Sequence, residues 1–169
     1  GSEMCIRDRL TPIVCANLPY NITTPAITAL IEPKCFESIT VLVQKEVAER
    51  LCAAPGTSAY GAFSVFMQYY TEPEYLFAVP RECFEPQPKV TSAVLRAVVR
   101  REPPVEVEDE KFFFRVVYAA FALRRKTLVN SLMTAFGSQL TKEQVTQAVI
   151  SCGLEANIRG ERLGLSEFA

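Results

Sequence analysis

Short apolar runs alternate with helix start signals in the first part of the chain, and this alternation restricts the possible fold classes more than any other feature of the sequence. Residues 13–16 form an apolar run, and residues 38–44 form a second run rich in Ile and Val; both patterns predict strands. Between them, Thr23 or Thr24 before Pro25 predicts an N-cap and a helix over 26–32. Alternating strands and helices are typical of α/β proteins with a parallel sheet.

The rest of the chain extends this pattern and then changes it. The next predicted elements are helices over 45–54 and about 60–70 and strands over 74–79 and 92–100. A proline-rich loop separates the last two strands, which adds an antiparallel element to a mainly parallel sheet. Only helical patterns follow, over 110 to about 136 and over 141–151, with a further start near Ser166. We therefore expect an α/β domain followed by a small all-α domain.

Composition places the domain boundaries. A chain of 169 residues has room for a medium domain and a small one. The expected segments are a non-native leader at 1–9, the α/β domain at 10–101, an acidic linker at 102–109 and the helical domain at 110–169. The leader is set apart because it matches no periodic pattern and begins with Gly-Ser, like the remainder of a cleaved tag.

Several classes of chemistry are excluded by composition. The chain has no histidine, which rules out Ser-His-Asp and Cys-His machinery and His-ligated metals. Its six cysteines include no C-x-x-C pair, so we expect no metal and predict reduced, buried thiols in a cytoplasmic protein. No apolar stretch approaches the roughly 20 residues of a transmembrane helix. We therefore expect no membrane association.

The four residues after the first predicted strand carry the clearest chemical signal. They are Asn17, Leu18, Pro19 and Tyr20, at the place where α/β proteins bind ligands. The Asn17 side-chain oxygen and the Leu18 carbonyl can accept the two hydrogens of an amino group on a flat ring, while Tyr20 stacks on that ring. Pro19 fixes the turn and offers no opposing N–H. A plain strand-to-helix turn, with Asn17 bonded to the backbone, explains the same residues.

A second aromatic candidate lies in the proline-rich loop. Phe84 begins the segment 84–90, which also contains Pro86, Pro88 and Lys89. A base flipped out of RNA needs stacking on both faces, and Phe84 can supply the second ring. A phenylalanine that caps the sheet is the alternative. We expect Lys89 to contact RNA.

Charge is unevenly distributed although the net charge is only −1. Residues 102–110 carry five acidic side chains, and residues 111–142 carry six basic ones and no acidic one. Arg124, Arg125 and Lys126 are consecutive, and we expect them on one long helix where they reach phosphates. A solvated helix face that pairs with the acidic linker is the alternative.

Taken together, these residues resemble the bacterial ribosomal RNA adenine dimethyltransferases, relatives of the erythromycin-resistance methylases. The similar segments are 16–31, 42–51, 58–70, 79–99 and 113–132. The resemblance implies that Asn17, Leu18, Pro19 and Tyr20 bind adenine, that Phe84 stacks on it, and that Asn17 and Pro19 also touch the donor. It further implies methyl transfer from S-adenosylmethionine to adenines of small-subunit rRNA in the pre-30S particle, without a metal.

The resemblance also implies what these residues lack. In that family the donor is bound mainly by a glycine-rich loop and acidic residues that precede the tetrad. We therefore expect the C-terminal half of a Rossmann-like methyltransferase sheet, without most of the donor site and inactive alone. The strand at 13–16 would then be an exposed edge, through which we expect self-association. A non-catalytic RNA-binding or ribosome-assembly module on the same fold is the alternative function.

Overall fold

The computed structural model describes residues 11–169, so the expected leader lies outside the described residues. The chain divides into two compact units, one containing the residues up to Cys52 with Tyr70–Pro103 and the other containing Ala53–Tyr69 with Pro104–Ala169. Residues 53–69 thus group with the later helices, although the pattern places them in the α/β domain. The reason is aromatic packing, since Tyr69 contacts the ring of Phe113 at a centroid distance of 5.1 Å.

The first unit contains a four-stranded mixed sheet. Its strands are β1 (Ile13–Asn17), β2 (Ser38–Gln44), β3 (Thr71–Val79) and β4 (Ser92–Val99), in the spatial order β1-β2-β4-β3. β1 and β2 are parallel, whereas β4 runs antiparallel to both β2 and β3. The prediction of a mainly parallel sheet is therefore wrong for the described strands, because β4 returns along β3 and also pairs with β2.

Two helices accompany this sheet, α1 (Thr23–Ile31) and α2 (Lys45–Leu51). α1 buries Ile27 and Ile31, four residues apart on one helix face. In β2 every second residue is buried, as a strand with one covered face requires. The predicted alternation of strand and helix is confirmed. The predicted N-cap is not, because Thr23 is the first helical residue and the cap position belongs to Ile22.

β3 begins three residues earlier than its pattern predicts and includes Pro73. Proline cannot donate a ladder hydrogen bond and is tolerated on edge strands. β3 pairs only with β4 among the described strands, so Pro73 lies on such an edge. A β-bulge between Tyr75 and Phe77 interrupts the register further along.

The second unit is built from helices. They are α3 (Ala62–Tyr70, all but its last residue), α4 (Glu110–Ala122), α5 (Leu128–Phe136), α6 (Lys142–Ser151) and the short α7 (Leu165–Phe168). Their buried cluster includes Ala120, Leu132, Val145 and Leu163. Asp109, at the end of the acidic linker, caps α4 by accepting hydrogen bonds from two backbone N–H groups of its first turn.

The prediction of a single helix over 110–136 is wrong, because α4 ends at Ala122 and α5 begins at Leu128. Thr127 starts the second helix as its N-cap, and its side chain accepts a hydrogen bond from the Asn130 N–H. The Leu123 carbonyl at the end of α4 accepts from the Lys126 N–H at 2.8 Å and from the Ser131 hydroxyl at 3.1 Å. These bonds, two of which involve side chains, replace helical ones, and the chain turns between the two helices.

The described cysteines are free, as predicted, but their expected burial is wrong. Exposed thiols are found at Cys15, Cys35, Cys83 and Cys152. Cys52 is partly buried, and desolvation together with the nearby Glu74 raises the pKa of its thiol to about 11. Among residues 11–169, no helix combines the length and apolar character that a membrane-spanning segment requires.

Candidate functional site

The tetrad lies where β1 passes into α1. β1 ends at Asn17, and the Leu18 N–H donates to the Leu42 carbonyl at 3.1 Å, which continues the parallel pairing by one residue. Pro19 then directs the chain into a 3-10 turn, Tyr20–Ile22, that leads directly into the helix. This is the carboxyl end of a parallel strand, the usual ligand position in α/β sheets.

The acceptors of this turn are available to a ligand. Asn17 and Pro19 are exposed, Leu18 is buried and Tyr20 is half-buried. Within the described part of the chain, neither the Asn17 side chain nor the Leu18 carbonyl makes an intramolecular hydrogen bond. The arrangement in which Asn17 only bonds the backbone is therefore not observed.

The tetrad and Phe84 line a common pocket of about 320 Å³. This volume is at the lower end of the range for small-molecule pockets, about 300–1,000 Å³, and suits one flat base. Its lining residues are Asn17, Leu18, Pro19, Tyr20, Phe84, Pro86 and Pro88. Lys89 is exposed in the same loop and is not among them.

Two buried hydroxyl groups hold the turn, and neither belongs to a predicted site residue. The Tyr20 hydroxyl is 2.5 Å from Ser92 Oγ, in a hydrogen bond that either group can donate. Thr23 Oγ1 donates to the Pro19 carbonyl at 3.2 Å. Ser92 is 72 positions away from Tyr20, so no local pattern could have indicated this contact.

The basic triplet does not lie on a helix. Arg124, Arg125 and Lys126 occupy the turn between α4 and α5, in the second unit. The Arg124 guanidinium donates to the Ser58 carbonyl and pairs with Glu161 at 3.4 Å. The Arg125 and Lys126 side chains are exposed and make no hydrogen bond or ion pair with other described residues. Thus one member of the triplet is engaged within the protein and two are available to an anion.

No cluster of three or more His, Cys, Asp or Glu side chains that could hold a metal ion occurs within residues 11–169. What the site offers instead is a pair of acceptors without an intramolecular hydrogen bond, two aromatic rings and a set of prolines. These groups suit the recognition of a neutral, planar, amino-bearing ring.

Comparison with solved structures defines the class. The structure matches a dimethyladenosine transferase from Plasmodium falciparum with a TM-score of 0.74 at 22% identity, covering 93% of this chain and 64% of that one. It matches the 23S rRNA methyltransferase ErmE with a TM-score of 0.63 at 26% identity, covering 92% and 63%. The mixed α/β fold is that of rRNA methyltransferase structures.

The sequence comparisons are more specific. The family described as "Ribosomal RNA adenine dimethylase" matches residues 6–163, and the chain belongs to this family. The match begins inside the segment 1–9 that was set apart as a leader. The resemblance found from the residues alone is confirmed.

Curated relatives carry the name "Ribosomal RNA small subunit methyltransferase A". One from Geobacillus kaustophilus is 48% identical over 166 residues, covering 97% of this chain and 56% of the relative. Another from Streptococcus gordonii is 51% identical over 158 residues, covering 92% and 54%. The chain thus spans about half the length of the curated relatives it matches.

Proposed function

We propose that this chain carries the target-base side of an rRNA adenine N6,N6-dimethyltransferase. The reaction transfers methyl groups from S-adenosylmethionine to the exocyclic amine of adenines in small-subunit rRNA. The observation that carries the proposal is the pocket in which the free acceptors of Asn17 and Leu18 accompany the rings of Tyr20 and Phe84. Membership of the family and the names of the relatives support it.

The two acceptors have a defined chemical role. Asn17 Oδ1 and the Leu18 carbonyl each accept one hydrogen of the adenine amine, which draws its nitrogen out of conjugation with the ring and makes its lone pair available. Bound S-adenosylmethionine supplies an electrophilic methyl group on a sulfonium centre. We assign contact with both reactants to Asn17 and Pro19, which are exposed at the end of β1 and two residues beyond it. The proton lost from the amine passes to solvent, so no imidazole is needed.

The aromatic residues hold the flipped base. Tyr20 and Phe84 are both half-buried and line the same pocket, which suits stacking on the two faces of an adenine. Stacking of a base on an aromatic side chain contributes about 1–3 kcal/mol per contact. That energy compensates for unstacking the base from RNA.

Docking on RNA is assigned to cationic side chains outside the pocket. We propose that Arg125 and Lys126 in the second unit and Lys89 in the first contact phosphates of small-subunit rRNA in the pre-30S particle, in the cytoplasm. All three are exposed. Arg124 contributes less to RNA binding, because its guanidinium is engaged by Ser58 and Glu161.

We further propose that these 169 residues comprise the C-terminal half of the methyltransferase sheet and the helical domain. The chain spans about half of its relatives, and the donor-binding elements implied by the resemblance precede the tetrad. This polypeptide by itself is therefore expected to bind S-adenosylmethionine no more tightly than the millimolar range in calorimetric titration. A micromolar dissociation constant would contradict that.

The catalytic assignment is tested in a complete enzyme that carries these residues. Asn17→Ala is expected to lower kcat at least a hundredfold, about 3 kcal/mol of lost polarisation, with RNA affinity almost unchanged. Asn21→Ala is the matched control, because Asn21 is exposed in the same turn and does not line the pocket. RNA binding without methyl transfer by the unsubstituted enzyme would instead favour a non-catalytic assembly module.

A further inference from the structure

Tyr20 has two ends in different environments. Its ring lines the pocket, whereas its hydroxyl reaches Ser92 at 2.5 Å. Ser92 is the first residue of β4 and is 0% exposed. The hydroxyl therefore points away from a bound base, and it is the ring that faces the ligand.

The Ser92 hydroxyl depends on Tyr20 for its hydrogen bond. Within the described chain, the Ser92 hydroxyl has Tyr20 as its partner and no other. No buried side-chain oxygen or nitrogen among residues 11–169 lacks a partner. Because a buried hydroxyl without a partner is costly, Ser92 restricts the Tyr20 ring to orientations in which the two hydroxyls meet.

Ser92 is itself held rigidly. β4 is a central strand that pairs with β2 on one side and β3 on the other, and Ser92 lies opposite Gln44 and Val79 in the two registers. Tyr20, by contrast, lies in a three-residue 3-10 turn with no side-chain cap. The sheet thus provides a fixed anchor for a side chain carried by a short turn.

We propose that Ser92 is a positioning residue for base recognition: its hydroxyl fixes the Tyr20 ring in the plane on which the target adenine stacks. This rests on the proposed function for the identity of the base, but the tether itself is a property of the free protein. Ser92 is not among the residues that line the pocket. Ser92 affects base binding only by fixing the orientation of the Tyr20 ring. Without the hydrogen bond, the ring would rotate about its side-chain bonds and lose that orientation.

The tether is tested first without RNA. In this chain labelled with ¹³C at the tyrosine ζ carbon, Ser92→Ala is expected to shift the Tyr20 resonance and to increase ring motion measured by relaxation. Ser131→Ala is the matched control, because Ser131 is also a fully buried serine and its hydroxyl makes one hydrogen bond, to the Leu123 carbonyl in the second unit. A Tyr20 signal unchanged by Ser92→Ala would overturn the proposal.

The consequence for recognition is tested with an RNA hairpin that carries 8-vinyladenine, a fluorescent adenine that keeps its exocyclic 6-amino group, in place of a target adenine. Stacking on Tyr20 quenches its fluorescence, and Ser92→Ala is expected to lower the equilibrium constant for the quenched state about fivefold, the value of one hydrogen bond. Tyr20→Phe, which keeps the ring and removes the hydroxyl, should cause a similar loss. Adding Ser92→Ala to Tyr20→Phe should then change quenching little.

The NMR and fluorescence experiments together distinguish failure of the proposed base site from failure of the positioning role of Ser92. If the unsubstituted chain fails to quench 8-vinyladenine while Ser92→Ala still mobilises Tyr20, the proposed base site is wrong and the tether stands. If quenching occurs and Ser92→Ala leaves it unchanged, the base site stands and the positioning role is overturned. Equal losses in Ser92→Ala and Ser131→Ala, matching only their loss of stability, would also overturn it.

Discussion

Substituting Arg124 separately from Arg125 and Lys126 is expected to divide the basic triplet into a structural and an RNA-binding part. The guanidinium of Arg124 donates to the Ser58 carbonyl and pairs with Glu161, both within the second unit. The side chains of its two neighbours are exposed and make no hydrogen bond or ion pair with the described residues. The substitutions are Arg124→Gln and the double replacement of Arg125 and Lys126 by Gln.

The magnitudes follow from these contacts. A hydrogen bond from a charged group contributes about 1.5–3 kcal/mol, and a surface ion pair adds only about 0–1 kcal/mol. The Arg124 side chain is 44% exposed, so solvent screening reduces both contributions. We expect Arg124→Gln to lower the free energy of unfolding by about 1–2 kcal/mol. For the double variant, two lost phosphate contacts should reduce the salt slope by about 1.5.

Two assays measure these effects. Urea unfolding monitored by circular dichroism gives the stability of each variant, and fluorescence anisotropy with a labelled RNA hairpin gives the affinity at several salt concentrations. Arg124→Gln should lose stability and keep most of the slope of log affinity against log salt. The double variant should keep its stability and show a flatter slope.

The opposite pattern would refute this division. If Arg124→Gln flattened the salt slope as much as the double variant and left stability unchanged, the contacts with Ser58 and Glu161 would have no energetic weight. If the double variant left the slope unchanged, this turn would not contact RNA phosphates.

Four further outcomes are expected. Gly160→Ala should lower the free energy of unfolding of the second unit by about 1–3 kcal/mol, because an added Cβ would lie 2.6 Å from a carbonyl oxygen of α4. Gly61→Ala is the control: an added Cβ there has no atom within 4 Å, so urea unfolding should show almost no change. Equal effects of the two substitutions would contradict the packing around Gly160. Cys52, with its pKa raised to about 11, should resist N-ethylmaleimide at pH 8 while the exposed Cys83 reacts, and mass spectrometry showing equal labelling would argue against this. The stability linked to the protonated Cys52 thiol should be present below the unfolded pKa of about 8.5 and lost as the pH rises through about 11, a dependence that Cys52→Ala should remove. Finally, β1 is an edge of the described sheet and its Ile13 is 65% exposed, so the chain should self-associate at roughly tens of micromolar and Ile13→Lys should weaken that association. A strictly monomeric chain in sedimentation at such concentrations would contradict this.

Local features of the fold could be predicted from the sequence because each depends on neighbouring residues. The Ile- and Val-rich run in 38–44 predicts the strand β2, and the end of the apolar run at 13–16 places the tetrad at a strand end. Phe84 could be assigned to a rigid loop from its prolines. The capping bonds of Thr127 and Ser131 that separate α4 from α5 are also local, but apolar periodicity on both sides of the break obscured them.

Only the tertiary structure decided which distant groups meet. The pairing of β4 with β2 brings Ser92 to Tyr20, and the packing of the second unit brings Ser58 and Glu161 to Arg124. These contacts join residues separated by 37 to 72 positions. The sequence shows that a serine or an arginine can form a hydrogen bond, but strand register and helix packing determine its partner. Burial of the whole apolar surface selects that register and packing, and no local preference does so.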